Sequence, residues 1–312
     1  MQVINNHITL GEQVIKTLLY FDIFNYPLKA HEVFNFLQVN STSETDVVRC
    51  LNALAERNHI FRFGDFYSLQ ADENNIHRRI KGNTEADKFL KVAKTKARFI
   101  ARFPFVRAVM ASGSLSKGYM DENSDLDFFI VTEPDRLWIA RTLLVMYKRI
   151  FLFNSHKQFC VNYFVDTAHL EIEEKNLFTA TELATLIPLY NVDCYAALQA
   201  SNQWVQDFFP NFRKRSIDHT EKKHSNSFGK IIEYVLNPFV QTMDNFFMRM
   251  TLRRWNKIYR KNYGEKDFHI AFKTKRYGSK NHPKHYQKKI LDLYQLKLVQ
   301  YKIQFDQLAN HE

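Results

Sequence analysis

The sequence predicts an α+β fold, a core of strands and helices set between two helix-rich ends. Three apolar runs of strand length, Phe105 to Met110, Phe128 to Val131 and Phe159 to Val165, lie in the middle of the chain, separated first by a polar turn and then by a helical stretch. Ahead of them, three segments of helical spacing lead into a short aromatic hairpin. Beyond them, long helical periods dominate to the end. The 312 residues can hold two or three domains, and we expect three units, residues 1–75, 76–175 and 176–312.

In the first unit, Ile8 to Phe24 places Ile15, Leu18, Leu19 and Phe21 at helical spacing, and Asn25-Tyr26-Pro27 stops it. Lys29 to Leu37 is a second helix. Ser43-Glu44-Thr45-Asp46 can cap a third, Val47 to Asn58, with Val47, Leu51 and Leu54 on one stripe. Ile60 to Phe63, Gly64-Asp65 and Phe66 to Leu69 read as a hairpin. Three helices and a hairpin resemble a winged helix, a unit that often reads DNA. The third helix sets Glu44, Asp46 and Glu56 against Arg49 and Arg57, which leaves little positive potential for a groove and favours protein docking or packing.

In the second unit, His77 to Arg102 is a charged amphipathic helix ended by Pro104. A strand runs into Gly113-Ser114, a second begins near Asp127, a helix spans Arg136 to Phe153, and Phe159 to Val165 is a third strand. In the last unit, Phe178 to Leu186 and Tyr195 to Phe208 are helical, with Trp204 read as core. Arg213 to Ser227 reads as a linker. Phe228 to Tyr259 reads as a long helix that Asn237-Pro238 can kink. Lys273 to Lys289 carries nine Lys, Arg or His among seventeen residues, with Gly278-Ser279 and His282-Pro283, and reads as a basic loop able to cover phosphate.

Composition bounds the function. Hydrophobic residues are 45% of the chain and aromatic residues 15%, so no long disordered span is expected. Cys50, Cys160 and Cys194 are isolated, which predicts neither a disulfide framework nor a zinc ribbon and fits a cytoplasmic location. The opening MQVINNHITLGEQ lacks the pattern of a secretory signal. The most apolar helix contains Arg141, Lys148 and Arg149, so no membrane span is predicted. The net charge of +11 is concentrated from Asn211 onward, where 22 Lys plus Arg stand against 9 Asp plus Glu. Such a region can meet a nucleic acid or protein acceptor, or can be a solvated helical face.

The chemistry concentrates in VRAVMASGSLSKGYMDENSDLDFFIVT, Val106 to Thr132. Asp125 and Asp127 are spaced by two, so in a strand they share a face about 6–7 Å apart and can converge on one cation. A hard ion such as Mg²⁺ is held by one or two carboxylates plus substrate phosphates. Glycine at 113 lets backbone and the Ser114 hydroxyl approach a phosphate.

Gly113-Ser114, a ten-residue spacer and Ser124-Asp125-Leu126-Asp127-Phe128 resemble the signature of the DNA polymerase β-type nucleotidyltransferase superfamily, hG[GS]-x(9 to 13)-Dh[DE]h. The resemblance covers about 25 residues. It implies a small mixed sheet, a nucleoside triphosphate, two metal ions (Mg²⁺ or Mn²⁺) and transfer of a nucleotidyl group with release of pyrophosphate. On that pattern Asp125 and Asp127 are the catalytic metal ligands, while Gly113, Ser114, Lys117, Ser124 and Asn162 contact nucleotide or phosphate. Lys117 or the basic loop would neutralise pyrophosphate.

Polymerase-like members carry a third acid on the third strand, where this chain has Asn162. An amide cannot act as a base near neutral pH. Either two carboxylates suffice, or Asp166, Glu171 or Glu173 is recruited, or the site binds nucleotide without turnover. The sequence therefore predicts a metal-dependent nucleotidyltransferase acting on a protein, small-molecule or nucleic-acid acceptor. The alternative is a catalytically weak nucleotide-sensing or nucleic-acid-binding regulator.

Overall fold

The computed structural model describes residues 9–40, 43–153, 157, 159–213, 227–281 and 285–309. The first helix, α1 (Leu10–Asp22), starts at a reciprocal cap between Thr9 and Glu12. A short strand, β1 (Leu28–Lys29), leads to α2 (Ala30–Phe36) and α3 (Glu44–Glu56), the latter capped by Ser43 and Asp46. Strands β2 (Phe61–Phe63) and β3 (Phe66–Ser68) then form with β1 an antiparallel sheet of order β1-β3-β2. The predicted hairpin is present, with a third strand from the Tyr26-Pro27 turn that the sequence pattern did not signal.

Helix α4 (Glu73–Ile100) carries the chain to β4 (Val106–Ser112), which is followed by the single turn α5 (Gly113–Ser116). Strand β5 (Asp127–Thr132), helix α6 (Leu137–Phe151) and strand β6 (Cys160–Asp166) form the predicted strand, helix, strand order. The sheet does not end there. After α7 (Leu177–Thr185), strand β7 (Ile187–Tyr190) pairs with β4. Helices α8 (Val192–Ser201) and α9 (Val205–Phe208) follow, then α10 (Ser227–Leu236), a 3₁₀ turn at Asn237–Phe239 and α11 (Val240–Tyr259). The predicted break at Asn237-Pro238 divides the two helices. Helix α12 (Glu265–Ala271) precedes a hairpin, β8 (Thr274–Lys275) and β9 (Gly278–Lys280), and α13 (Tyr286–Ala309) closes the chain.

The main sheet has the order β7-β4-β5-β6-β9-β8 and is mixed: β5 and β6 run parallel through the α6 crossover, and the other pairs are antiparallel. Two stretches depart from expectation. The end of the helical run at Leu186 turns into β7, and the basic stretch at Lys273 is an edge hairpin on β6 rather than a loop. Residues 214–226 of the predicted linker, and His282-Pro283, lie outside the described residues, while Ser227 opens α10.

The strands separate two apolar layers because alternate residues face opposite sides. Ala108, Met110, Phe129 and Val131 pack with α1, α7 and α13, so the N-terminal unit shares a core with one face of the sheet. Val109, Ala111, Phe128 and Ile130 pack with α4, α6 and α11 on the other. Arg79 of α4 is buried and pairs with Glu32 at 2.6 Å, while its guanidinium also meets the Tyr26 hydroxyl, and Tyr26 in turn donates to Lys117 O. The N-terminal unit thus braces the turn that follows α5. No helix among the described residues is long and apolar enough to cross a membrane.

Candidate active site

Strand register sets the site. Ser112 lies opposite Asp127, and Asp127 opposite Cys160, so the end of β4 and the starts of β5 and β6 form one row. Gly113 follows Ser112 with φ +64°, a conformation that strains any residue with a Cβ. A Cβ there would also collide with Asp127 Oδ2 and lie 3.2 Å from its Cγ. The glycine turn and the carboxylate are therefore fitted to each other.

Asn162 is placed by an irregularity. Phe128 pairs with Val161 and Phe129 with Tyr163, which leaves Asn162 unpaired between them. Such a bulge re-aims a side chain beside a site. The Asn162 amide donates to Cys160 Sγ at 2.7 Å and reaches Asp127 Oδ1 at 3.5 Å. The Cys160 thiol in turn hydrogen-bonds the Asp127 carboxylate. Asn162 thus orients Asp127, directly and through Cys160, where polymerase-like relatives carry an acid. Burial pushes the Asp127 carboxyl up to about 6; the Cys160 hydrogen bond opposes that shift, and the charges of Asp125 and Glu182 add to it.

Gly113, Ser114, Lys117, Ser124, Asp125, Asp127 and Asn162 all line one cavity of about 1270 Å³. Two of them have partners the sequence did not foreshadow. Lys117 is held by Glu182 of α7 at 2.6 Å and by Gly113 O at 3.1 Å, so its ammonium is already engaged by a carboxylate. Ser124 locks the Asp121–Ser124 turn, donating to Asp121 Oδ1 at 2.7 Å and accepting from Asp121 N at 3.1 Å.

The acids proposed as substitutes on β6 and beyond are occupied elsewhere. Asp166 ends β6 opposite Thr132, about 17 Å from the Asp127 row by strand rise, and caps its own turn through Ala168 N and His169 Nδ1. Glu171 pairs with Lys175 at 2.7 Å, and Glu173 with Lys275 at 2.7 Å and Lys273 at 3.2 Å. Glu182 is the acid that sequence reasoning missed. It lies 55 residues from Asp127, and only the pairing of β7 with β4 folds α7 back over the site.

Much of the basic stretch is likewise engaged. Lys273 and Lys275 meet Glu173, Arg276 meets Asp135 at 3.1 Å, and Lys288 meets Asp267 at 3.0 Å. Lys280 is the exception that faces the cavity; it is buried, hydrogen-bonds Gln287 and lies over the Tyr163 ring. Trp204 packs beside the N-terminal core, its indole N–H donating to Asn202 at 3.0 Å.

Among the described residues no group of three or more His, Cys, Asp or Glu side chains is arranged to hold a metal ion. The strand parity expected of the two acids is not what places them: β5 starts at Asp127, and Asp125 lies two residues ahead of it, in the segment that enters the strand. Both carboxylates line the cavity and are the donors on offer beside Gly113. That set fits Mg²⁺ or Mn²⁺, whose remaining positions are filled by water and substrate phosphates.

Residues 92–188 match the family model of the nucleotidyltransferase domain. The chain carries a nucleotidyltransferase domain. It is of the polymerase β-type superfamily, as the Gly113-Ser114 and Asp125–Asp127 spacing suggested. The matched nucleotidyltransferase region runs from α4 into β7, so it contains the row of Gly113, Asp127 and Asn162 and also Glu182. No curated protein and no solved structure matches the chain.

Proposed function

We propose that the protein is a metal-dependent nucleotidyltransferase that moves a nucleotidyl group from a nucleoside triphosphate to an acceptor and releases pyrophosphate. The observation that carries this reading is the fit between Gly113 and Asp127, because a turn suited to glycine lets the Asp127 carboxylate close on the backbone of the Gly113-Ser114 turn, in the cavity that both residues line. Asp125 and Asp127 would hold Mg²⁺ or Mn²⁺, which when bound offsets the negative charge of the phosphates.

The chain's own residues supply position and charge. The Gly113-Ser114 turn offers backbone N–H groups and a hydroxyl to phosphate. Asn162 and Cys160 keep Asp127 aimed. Lys280, which lines the cavity and whose pKa burial pulls down, would face the departing pyrophosphate in place of Lys117, whose ammonium is paired with Glu182. Nucleotidyl transfer depends mainly on positioning and charge neutralisation, so an amide in place of the third acid is compatible with turnover. Glu182, which lines the cavity while paired with Lys117, is the carboxylate that would accept the acceptor's proton. The N-terminal unit acts as a winged-helix-like packing module, a role supported by Tyr26 and Arg79 bracing the site.

The test is release of pyrophosphate from each labelled nucleoside triphosphate with Mg²⁺ or Mn²⁺. Turnover that disappears in the Asp125→Asn/Asp127→Asn double variant is expected. Nucleotide binding without turnover by the native chain would favour the regulator, and turnover surviving in the double variant would remove these carboxylates from the reaction.

A further inference from the structure

The end of the cavity away from Glu182 is lined by cations. Arg141 and Arg149 of α6 and Arg254 of α11 reach it, with Lys148 and the Thr142 hydroxyl beside them. Positions 141, 145, 148 and 149 share one face of a helix, and α6 packs on α11, so five side chains from two helices converge. The two helices are tied together where Asp244 of α11 accepts from Trp138 N at 2.8 Å and Ile139 N at 3.0 Å.

Arg141 is 6% exposed, and neither it nor Arg149 or Arg254 has an ion pair among the described residues. Its guanidinium stacks against Trp255 at 4.8 Å and Trp138 at 5.5 Å. The charges it feels are those of Arg149 and Arg254, both of its own sign. Arginine does not give up its proton in a protein, so the charge must be met rather than lost. Thr142 Oγ1 is buried beside it without a hydrogen-bond partner. A buried cation without a counter-ion and a buried hydroxyl without a partner are each costly, and both are satisfied by one bound anion.

We propose that Arg141, Arg149 and Arg254, with the Thr142 hydroxyl, form a second anion site that seats a phosphate group carried by a small-molecule acceptor. Guanidinium forks match phosphate oxygens two at a time, which favours phosphate over a single carboxylate. The site adjoins the triphosphate seat without coinciding with it. The largest charge effects on Asp127 are those of Asp125, Glu182 and Lys117, with none of the three arginines among them, and Lys148 lies between, feeling both Asp125 and Arg141. At about 1270 Å³ the cavity is also larger than one nucleotide needs, since pockets for single small ligands run to roughly 300–1,000 Å³.

The acceptor role deepens the transferase reading and rests on it; the anion site can be tested without turnover. Inorganic phosphate is titrated into the full-length protein in EDTA and followed by calorimetry. Saturable binding is expected, weakened at least tenfold in Arg149→Met and in Arg254→Met, and retained in Asp125→Asn/Asp127→Asn. Phosphate should raise the melting temperature of the native protein and not that of Arg141→Met. If Arg141→Met does not fold, the two variants at exposed positions decide the matter. In a second arm with Mn²⁺, a non-hydrolysable triphosphate at saturation should leave phosphate binding intact.

Absence of saturable binding, or binding indifferent to Arg149 and Arg254, would overturn the site. Displacement of phosphate by the triphosphate would overturn its assignment to an acceptor. A triphosphate that fails to bind at all counts against the transferase reading and leaves the phosphate titration as the test of the anion site.

Discussion

At one end of the cavity Asp125 and Asp127 stand with Glu182, and Lys117, the cation beside them, is taken up by Glu182. At the other end Arg141 and Arg149 stand with Arg254, and no carboxylate pairs with them among the described residues. Both ends withdraw charge from water, but they do so on different scaffolds. At the acidic end Asp127 is fixed by hydrogen-bonded register across three paired strands, with Asp125 just ahead of β5. The basic end is assembled from faces of two helices, its arginines on one lying more than a hundred residues from Arg254 on the other. Two carboxylates at the mouth of a strand can be read from a few neighbouring letters, whereas an anion site built on helix packing emerges only from the fold.

Experiments that remove one end at a time sharpen this contrast. The largest effect should follow Asp127→Asn, which keeps shape but removes the charge: turnover, measured as pyrophosphate release, should fall by roughly a thousandfold. Gly113→Ala should damage the same row by crowding. The added methyl meets the Asp127 carboxylate and must adopt φ +64°, so denaturant unfolding should show a loss of about 1–2 kcal/mol together with weaker metal binding.

The acidic end should also titrate. Asp127 is raised from 3.8 to about 6. The folded state therefore holds this proton more tightly than the unfolded chain, and the fold loses that contribution as the pH rises from near 3.8 through about 6. A cation competes with the same proton. Mn²⁺ affinity, followed by calorimetry, should be flat above pH about 6 and fall about tenfold per unit below it. Because the charge of Glu182 helps raise Asp127, Glu182→Gln should move that midpoint downward. The smallest effect is expected outside both ends: Arg276 and Asp135 form a half-exposed pair, and Arg276→Ala should change stability by no more than about 0.5 kcal/mol.

Much of the fold was legible because its signals are local. Ser43 and Asp46 cap α3 as their spacing suggests, Pro238 interrupts the long C-terminal helical run, and the apolar runs of β4, β5 and β6 mark the sheet's centre. The edges were not legible. Strands of two to four residues, such as β1, β7 and β8, are too short for a period, and Lys273, Lys275 and Lys280 look like a solvated loop until the pairing of β9 with β6 brings them to Glu173, Glu174 and the cavity.

The site divides in the same way. Gly113, Asp125 and Asp127 were visible as a spacing. The role of Asn162 depends on a one-residue bulge, the hold of Cys160 on Asp127 depends on strand register, and Glu182 depends on a strand that returns to the sheet. Lys117 and Ser124 were visible as polar residues, but their partners, Glu182 and Asp121, were not.

The most direct test of the account is a titration of Mn²⁺ into the protein with a non-hydrolysable nucleoside triphosphate, read by the electron paramagnetic resonance of the free ion. The native chain should take up Mn²⁺ together with the nucleotide, and Asp127→Asn should take up far less at every concentration. Equal uptake by the native chain and by Asp127→Asn would contradict the claim that Gly113, Asp125 and Asp127 mark where metal and triphosphate meet.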